Sequence, residues 1–579
     1  MHVLKGVAAS PGITIGTAHV HLYERQIPEI KHIKPEEAPH ELERLRKAFA
    51  ASIKALNNLE GKIKENLGAE YSQIIATHKA ILSDPLLKEN IKKKVLKENF
   101  TAESAIYTSL QEINISFEQI EDEFFRERKN DVFDVAKRLF ENLTGTDNNV
   151  FKNIKTPSVL VAHNLLPSDT LSLREHQVLA FCTDIGGKTS HTALLAQSLE
   201  LPAVVGLSNI TSQVRSGDPI IVDGESGIVI VNPDRRTLAY YKKTQRNIKK
   251  SEQLLKAIND LPFITTDGKQ VNMLINYDPR TDSKETKKLK TMGLGLLRTE
   301  FLYIGKPQPP TEQEQVDIYT QVAKRFDMRP VQIRLADLGG DKQHSLDLSE
   351  YVQESNPFMG IRGVRFLLKH EDLLRTQLRA IVKTAAIVPA HIKIIVPMIS
   401  NIEEVRAVKA IFRDTLAELA QEGVAPRNKI HFGIMVEVPS TALTLDSMVS
   451  ELDFVSIGTN DLIQYMVAVD RGNQEVADLY DPFNPSVIRV LGHIIQTCSA
   501  KKVPASICGE LASDPDYIPL LIGLGVDTLS TSPRMFLRIK NKLRNVSYDA
   551  CSNLAQAALL STSSEEIKKL SLTVIDENP

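Results

Sequence analysis

From about residue 262 onward the chain alternates between short apolar runs and longer helical patterns, eight times over. The runs are "VNMLIN", "GLGLLRT", "VQIRLAD", "IKIIVPM", "HFGIMVE", "FVSIG", "PASICGE" and "DTLST". Segments between them, such as "EEVRAVKAIFRDTLAELAQ", carry apolar residues at helical spacing. Strand-like runs separated by helical patterns point to βα units around a parallel sheet, and eight such units predict a (β/α)8 barrel over 262–579. An open, doubly wound sheet is the alternative. A barrel also constrains the chemistry, because such barrels work at the C-terminal ends of their strands. Those ends carry Asn276, Arg298, Arg334 with Asp337, Glu437, Asn460 with Asp461, and Cys508. Each alone reads as an ordinary loop polar or salt-bridged residue. Together they suit a small phosphorylated acid: Arg298, Arg334 and Arg471 offer planar forks for phosphate and carboxylate oxygens. Glu437 and Asp461 offer oxygen ligands to a hard cation that keeps its waters, Mg2+ above others.

Upstream the pattern differs. Residues 1–22 read as short strands around Pro11 and Gly12. From about Pro35 to Leu143 long charged segments of helical periodicity follow one another, which reads as a helical bundle. Strand-like runs return at "SVLVA", "VLAFCTD", "AVVG" and "IIVDGESGIVIV". The expected organisation is therefore an α/β domain of residues 1–22 and 145–231, with a helical domain, 23–144, inserted in it. A linker helix over 232–261 then leads to the barrel.

Within "GGKTSHTALLAQSLELPAVVG" (186–206), Thr189 and Ser190 are helix-starting residue types, and Ala193, Leu194, Leu195, Ala196 and Leu199 recur at helical spacing. His191 thus falls in or near a first helical turn. The dipole there favours an anion and disfavours imidazolium, leaving a neutral, nucleophilic ring suited to accept a phosphoryl group. A polar surface histidine beside an ordinary N-cap is the plainer alternative. Two nucleotide motifs fail: "GKT" lacks the glycine of a P-loop because Cys182 stands in its place, and "GLGLLR" ends in Arg298 where the dinucleotide pattern needs a small residue.

With 579 residues the chain has room for three or four domains, and 42% hydrophobic with 25% charged residues describes a soluble protein. A net charge of −2 carries no nucleic-acid signature. The four cysteines, Cys182, Cys498, Cys508 and Cys551, show neither metal-ligand nor disulfide spacing. No signal peptide and no membrane-spanning segment is legible, so a cytoplasmic protein without membrane insertion is expected.

The stretches "GVAASPGI", "GGKTSHTALLAQSLELPAVVG", "GLGLLRTEFLY", "ADLGGDK", "NPFMGIR", "IMVEVP", "SIGTNDLIQYMVAVDRGN" and "CGELASD" give the sequence, end to end, a resemblance to the enzyme I family of the bacterial phosphoenolpyruvate-dependent phosphotransferase system. The resemblance implies a phosphoenolpyruvate-protein phosphotransferase: His191 takes phosphate from phosphoenolpyruvate on Nε2 and passes it to the histidine-containing phosphocarrier protein HPr, with release of pyruvate, as the first step in sugar uptake and its regulation. It further implies that Thr170 orients that ring, that Arg298, Arg334, Lys342, Asn460, Asp461 and Arg471 bind substrate, that Glu437 and Asp461 bind Mg2+, and that Cys508 protonates the product. The helical insert would dock the carrier near His78, Asp84 and Arg126, the phosphohistidine domain would swivel between barrel and insert, and the barrel would form a homodimer.

The sequence departs from the family's usual residues at Lys188, Leu335, Ala336, Val438 and Ser513, none of them an expected ligand or acid. Pyruvate phosphate dikinase and phosphoenolpyruvate synthase resemble the same parts but carry a large ATP-binding domain for which there is no room. A nitrogen-regulatory paralogue would bear an N-terminal sensory domain, and "LKGVAASPG" already begins at residue 4. A non-catalytic phosphoenolpyruvate sensor would be favoured by loss of His191 or of a metal ligand, and all are present.

Overall fold

The computed structural model describes residues 1–21, 29–66, 69–118, 135, 138–145, 154, 156–165, 177–187, 192, 193, 196, 201–279, 286–303, 308–340, 356–470, 473 and 476–576. The chain packs as two units, Met1–Ser251 and Glu252–Pro579.

In the first unit, strands β1 (His2–Lys5), β2 (Val7–Ser10), β3 (Ile13–His21), β4 (Ser158–Ala162), β5 (Val178–Thr183), β6 (Ala203–Val205), β7 (Pro219–Asp223) and β8 (Ile228–Val231) form one eight-stranded sheet. Its order is β1-β8-β7-β3-β4-β5-β6-β2. The centre, β3 to β6, is parallel, and β1, β2, β7 and β8 pair antiparallel. β4 is buried along its whole length because alternate residues face two cores: Val159 and Val161 join one cluster, Leu160 and Ala162 the other. The second of these clusters includes Leu45, Leu82, Leu87, Ile91 and Ile106 from the helices that lie in sequence between β3 and β4. These are α1 (Ala38–Asn66), α2 (Ala69–Ser83), α3 (Pro85–Lys97) and α4 (Ala102–Glu118). Asp84 caps α3, its Oδ1 accepting from the Leu86 amide at 2.8 Å, with Pro85 preset for the first helical position. A long helix, α5 (Arg235–Ala257), follows β8.

The second unit holds a closed barrel of eight parallel strands. In order around it run β9 (Asn272–Tyr277), β10 (Leu294–Leu297), β11 (Pro330–Arg334), β12 (His391–Val396), β13 (His431–Val436), β14 (Phe454–Gly458), β15 (Ala505–Cys508) and β16 (Thr528–Thr531). Pairing of β16 with β9 over Thr528–Thr531 closes the ring, so the open-sheet alternative is excluded. Every strand lies within one of the eight apolar runs or extends beyond it by one residue. Leu296, Ile395, Met435, Phe454 and Cys508 form a small cluster of their own, separate from the large cluster that joins strands to outer helices. Among the described residues no helix is long and apolar enough to cross a membrane.

Candidate active site at the barrel mouth

Arg334, the last residue of β11, carries a guanidinium buried to 6% exposure. Its Nη2 donates to Glu300 Oε1 at 2.8 Å and lies 3.7 Å from Asp337 Oδ2. Burial opposes the charge, but the surrounding carboxylates of Glu300, Asp337, Glu437 and Asp461 together hold its pKa above the ordinary arginine value. Its Nε is buried with no hydrogen-bond partner among the described residues. Glu300 Oε1 also accepts from the Asp337 amide at 2.9 Å, so one carboxylate fixes both the fork and the backbone after it. Behind this pair Gln377 is fully buried, its Oε1 accepting from the Ala336 amide at 3.0 Å and its Nε2 donating to Thr299 Oγ1 and Tyr319 Oη, each at 3.1 Å.

A second buried arginine, Arg362, grips Asp337 with both arms, Nε to Oδ1 at 3.1 Å and Nη2 to Oδ2 at 2.9 Å. The same Nη2 reaches Asp461 Oδ2 at 3.4 Å. Asp461 Oδ1 is buried and has no hydrogen-bond partner among the described residues. Glu437, 1% exposed past the end of β13, accepts from the Met398 amide at 2.7 Å. Met398 holds that amide from a left-handed backbone, φ +59°, a conformation that costs energy outside glycine. Burial, then the neighbouring Asp461 charge, pushes the Glu437 carboxyl up to about 8 against the pull of Arg334. Two buried carboxyl groups beside each other, one with an orphaned oxygen, fit a hard divalent cation. Among the described residues no group of three or more His, Cys, Asp or Glu side chains is arranged to hold a metal ion by itself.

Cys508 ends β15 inside the barrel, 2% exposed. Ser456 Oγ donates to its Sγ at 3.3 Å, and Sγ lies 3.4 Å from the Ile457 carbonyl oxygen. Burial pushes the thiol pKa up; the Ser456 hydroxyl, and Arg334 and Arg298 by charge, oppose this. Arg298 is exposed just past β10. Asn460, half-buried past β14, lies beside a cavity of about 350 Å³ walled also by Tyr480, Pro482, Glu510 and Asp514. Asn276, named from the sequence, accepts from Ser530 Oγ at 2.6 Å within the barrel.

Of the expected site residues, the structure brings Arg334, Glu437, Asp461 and Cys508 into one electrostatic cluster, with Arg298 and Asn460 on adjoining strand ends. His191, Thr170, Lys342, Arg471 and Arg126, like Lys188, lie outside the described residues. His78 differs from expectation. It is 1% exposed on α2, so its ring offers no docking surface here. Asp84 is exposed at the start of α3, beside Leu86 at 76% exposure. Sequence reading missed Glu300, Arg362, Gln377, Met398 and Ser456. Of these, Glu300, Arg362, Met398 and Ser456 lay within stretches already quoted, and Gln377 lay outside them.

Three family models match the chain: "PEP-utilising enzyme, PEP-binding domain" over residues 252–548, "PEP-utilising enzyme, N-terminal" over 5–128, and "PEP-utilising enzyme, mobile domain" over 154–227. A protein of Geobacillus stearothermophilus named phosphoenolpyruvate-protein phosphotransferase is 38% identical over 567 residues, which covers 97% of this chain and 96% of that one. Proteins of the same name from Staphylococcus aureus (strain MSSA476) and Bacillus sp. (strain S) are each 37% identical. The first covers 98% of both chains, the second 97% of this chain and 96% of its own.

Proposed function

The chain belongs to the phosphoenolpyruvate-protein phosphotransferase family, and on that premise we propose that it transfers the phosphoryl group of phosphoenolpyruvate to its own His191 and then to a histidine of the phosphocarrier protein HPr, releasing pyruvate. The observation that carries this reading is the buried Arg334 guanidinium at the barrel mouth, ion-paired to Glu300 and close enough to Glu437 and Asp461 to feel their charge, with one Asp461 oxygen orphaned. A site built for an uncharged ligand would not keep such groups buried. Arg298 and Arg334, with Lys342 and Arg471, neutralise the phosphate and carboxylate, and Asn460 orients the substrate. Glu437 and Asp461 hold a divalent cation, Mg2+, which when bound neutralises phosphate charge. Neutral His191, oriented by Thr170, attacks phosphorus in line; the N–P bond forms as the bridging P–O bond breaks, and the enolate of pyruvate leaves. The Cys508 thiol gives its proton to the methylene carbon. The thiolate left behind accepts from the Ser456 hydroxyl until solvent reprotonates it.

The three parts of the chain take three roles in this reading. Residues 1–22 with 145–231 carry His191, 23–144 dock the carrier around Asp84 and Arg126, and 262–579 bind phosphoenolpyruvate and pair two copies in a homodimer. The 232–261 linker serves as the hinge. Exposed Met359, Leu443 and Leu479, each following a barrel strand, are apolar surface available to that pairing. The test is a rapid-mix measurement of pyruvate from full-length protein, phosphoenolpyruvate and Mg2+, without carrier. A stoichiometric burst that disappears in His191→Ala and with a chelator is expected. A burst of equal size in His191→Ala contradicts the proposal.

A further inference from the structure

Asn460 stands in the first turn of the helix Thr459–Val467, and Glu510 two residues beyond β15. The two residues hold each other reciprocally. Asn460 Nδ2 donates to Glu510 Oε1 at 3.0 Å, and the Glu510 backbone amide donates to Asn460 Oδ1 at 2.9 Å. Because a backbone N–H can only donate and a carboxylate can only accept, this pair fixes which way the Asn460 amide points. One Nδ2 hydrogen is left outside the pair. The Tyr480 hydroxyl donates to the Asn460 carbonyl at 3.2 Å and steadies the backbone beneath it.

The loop between the two partners is shaped for this contact. Gly509 has φ +107°, and a Cβ there would stand 2.5 Å from Thr459 Oγ1 and 2.9 Å from Asn460 Oδ1, so any side chain would drive the loops apart. Thr459 Oγ1 also donates to the Cys508 carbonyl at 3.2 Å. The loop that carries Asn460 and Asp461 is thereby stitched to the loop that carries Cys508. Glu510 itself is exposed. An exposed carboxylate adds little to fold stability, whereas holding a substrate-facing amide in one orientation removes a rotational cost at binding.

We propose that Glu510 is a positioning residue: it holds the Asn460 amide so that its remaining N–H faces the phosphorylated acid, and its charge polarises that amide into a better donor. The proposal rests on the reading of Asn460 as a substrate contact. The test is pyruvate formation by full-length Glu510→Ala, Glu510→Gln, Asn460→Ala and the double variant, as a function of phosphoenolpyruvate at saturating Mg2+, with thermal melts confirming that each folds. Glu510→Ala is expected to raise the half-saturating concentration about tenfold with the maximal rate changed less than about threefold. Glu510→Gln, which keeps an acceptor, stays within about threefold of the parent, and the double variant is no worse than Asn460→Ala. A parent-like Glu510→Ala beside an impaired Asn460→Ala overturns the positioning role alone, as do losses that multiply in the double variant. A parent-like Asn460→Ala overturns the substrate contact, and the lock with it.

Discussion

At the scale of single residues, the barrel mouth is a buried network in which each charge is needed to make the others tolerable. Arg362 illustrates this: it covers both oxygens of Asp337 and reaches Asp461, all of them buried. Arg362→Met leaves two carboxylates in a poorly solvated site and is expected to cost about 3–5 kcal/mol of barrel stability in urea unfolding; a loss under 1 kcal/mol would show the network is not holding the site. Cys508 carries a second prediction. Burial raises its pKa, so the thiol form persists above the ordinary value of 9.0; if Cys508 is the proton donor, as proposed, the alkaline fall in pyruvate formation begins above that value, not below. Cys508→Ala should lower turnover about 10²–10⁴-fold while still binding phosphoenolpyruvate. The candidate residues that cluster at the barrel mouth were legible because polar residues at strand ends stand out against apolar runs. Glu300, Arg362 and Met398 were not, since their roles come from contacts made by the closed fold and, for Met398, from a backbone conformation that no periodicity encodes.

Among the elements, the strands were legible because their apolar runs are short and separated by helical patterns. Side-chain detail at their ends was not. Gly458, the last residue of β14, shows why: a Cβ there would lie 2.7 Å from Glu437 Oε2 and 2.9 Å from Met435 Cγ. The glycine makes room for a neighbouring strand's carboxylate, a requirement visible only once β13 and β14 are paired. Gly458→Ala is expected to raise the Mg2+ concentration for half-maximal activity about tenfold, read by metal titration, by displacing that carboxylate. The helix Phe536–Arg544 offers a stability test. Its fully buried Lys540 donates to the Asn259 carbonyl at 2.7 Å and sits 4.0 Å above the Phe263 ring. Burial, reinforced by Arg544, lowers its pKa to about 8 from 10.5. The folded state therefore disfavours the charged form: the penalty is full below about pH 8 and is relieved as pH rises toward the unfolded value. Compared with Lys540→Met, the parent should gain stability between pH 8 and 10.5; a constant difference across that window would contradict the assignment.

For the whole molecule, the account joins two units through one chemical step. The proposed substrate-binding groups belong to the unit Glu252–Pro579 and His191 to the unit Met1–Ser251, so the proposed reaction moves a phosphoryl group from one unit to the other. The boundary between the two units was legible in the change from long helical segments to strand–helix alternation. The sequence could not convey that His78 would be buried, because burial on α2 depends on which faces of neighbouring helices meet. The most direct measurement is to incubate the full chain with ³²P-phosphoenolpyruvate and Mg2+ and locate the label. The account predicts one acid-labile, alkali-stable phosphoryl group on His191, formed only with metal, absent in His191→Ala and lost on addition of the phosphocarrier. Label at any other residue, or undiminished label in His191→Ala, would contradict it.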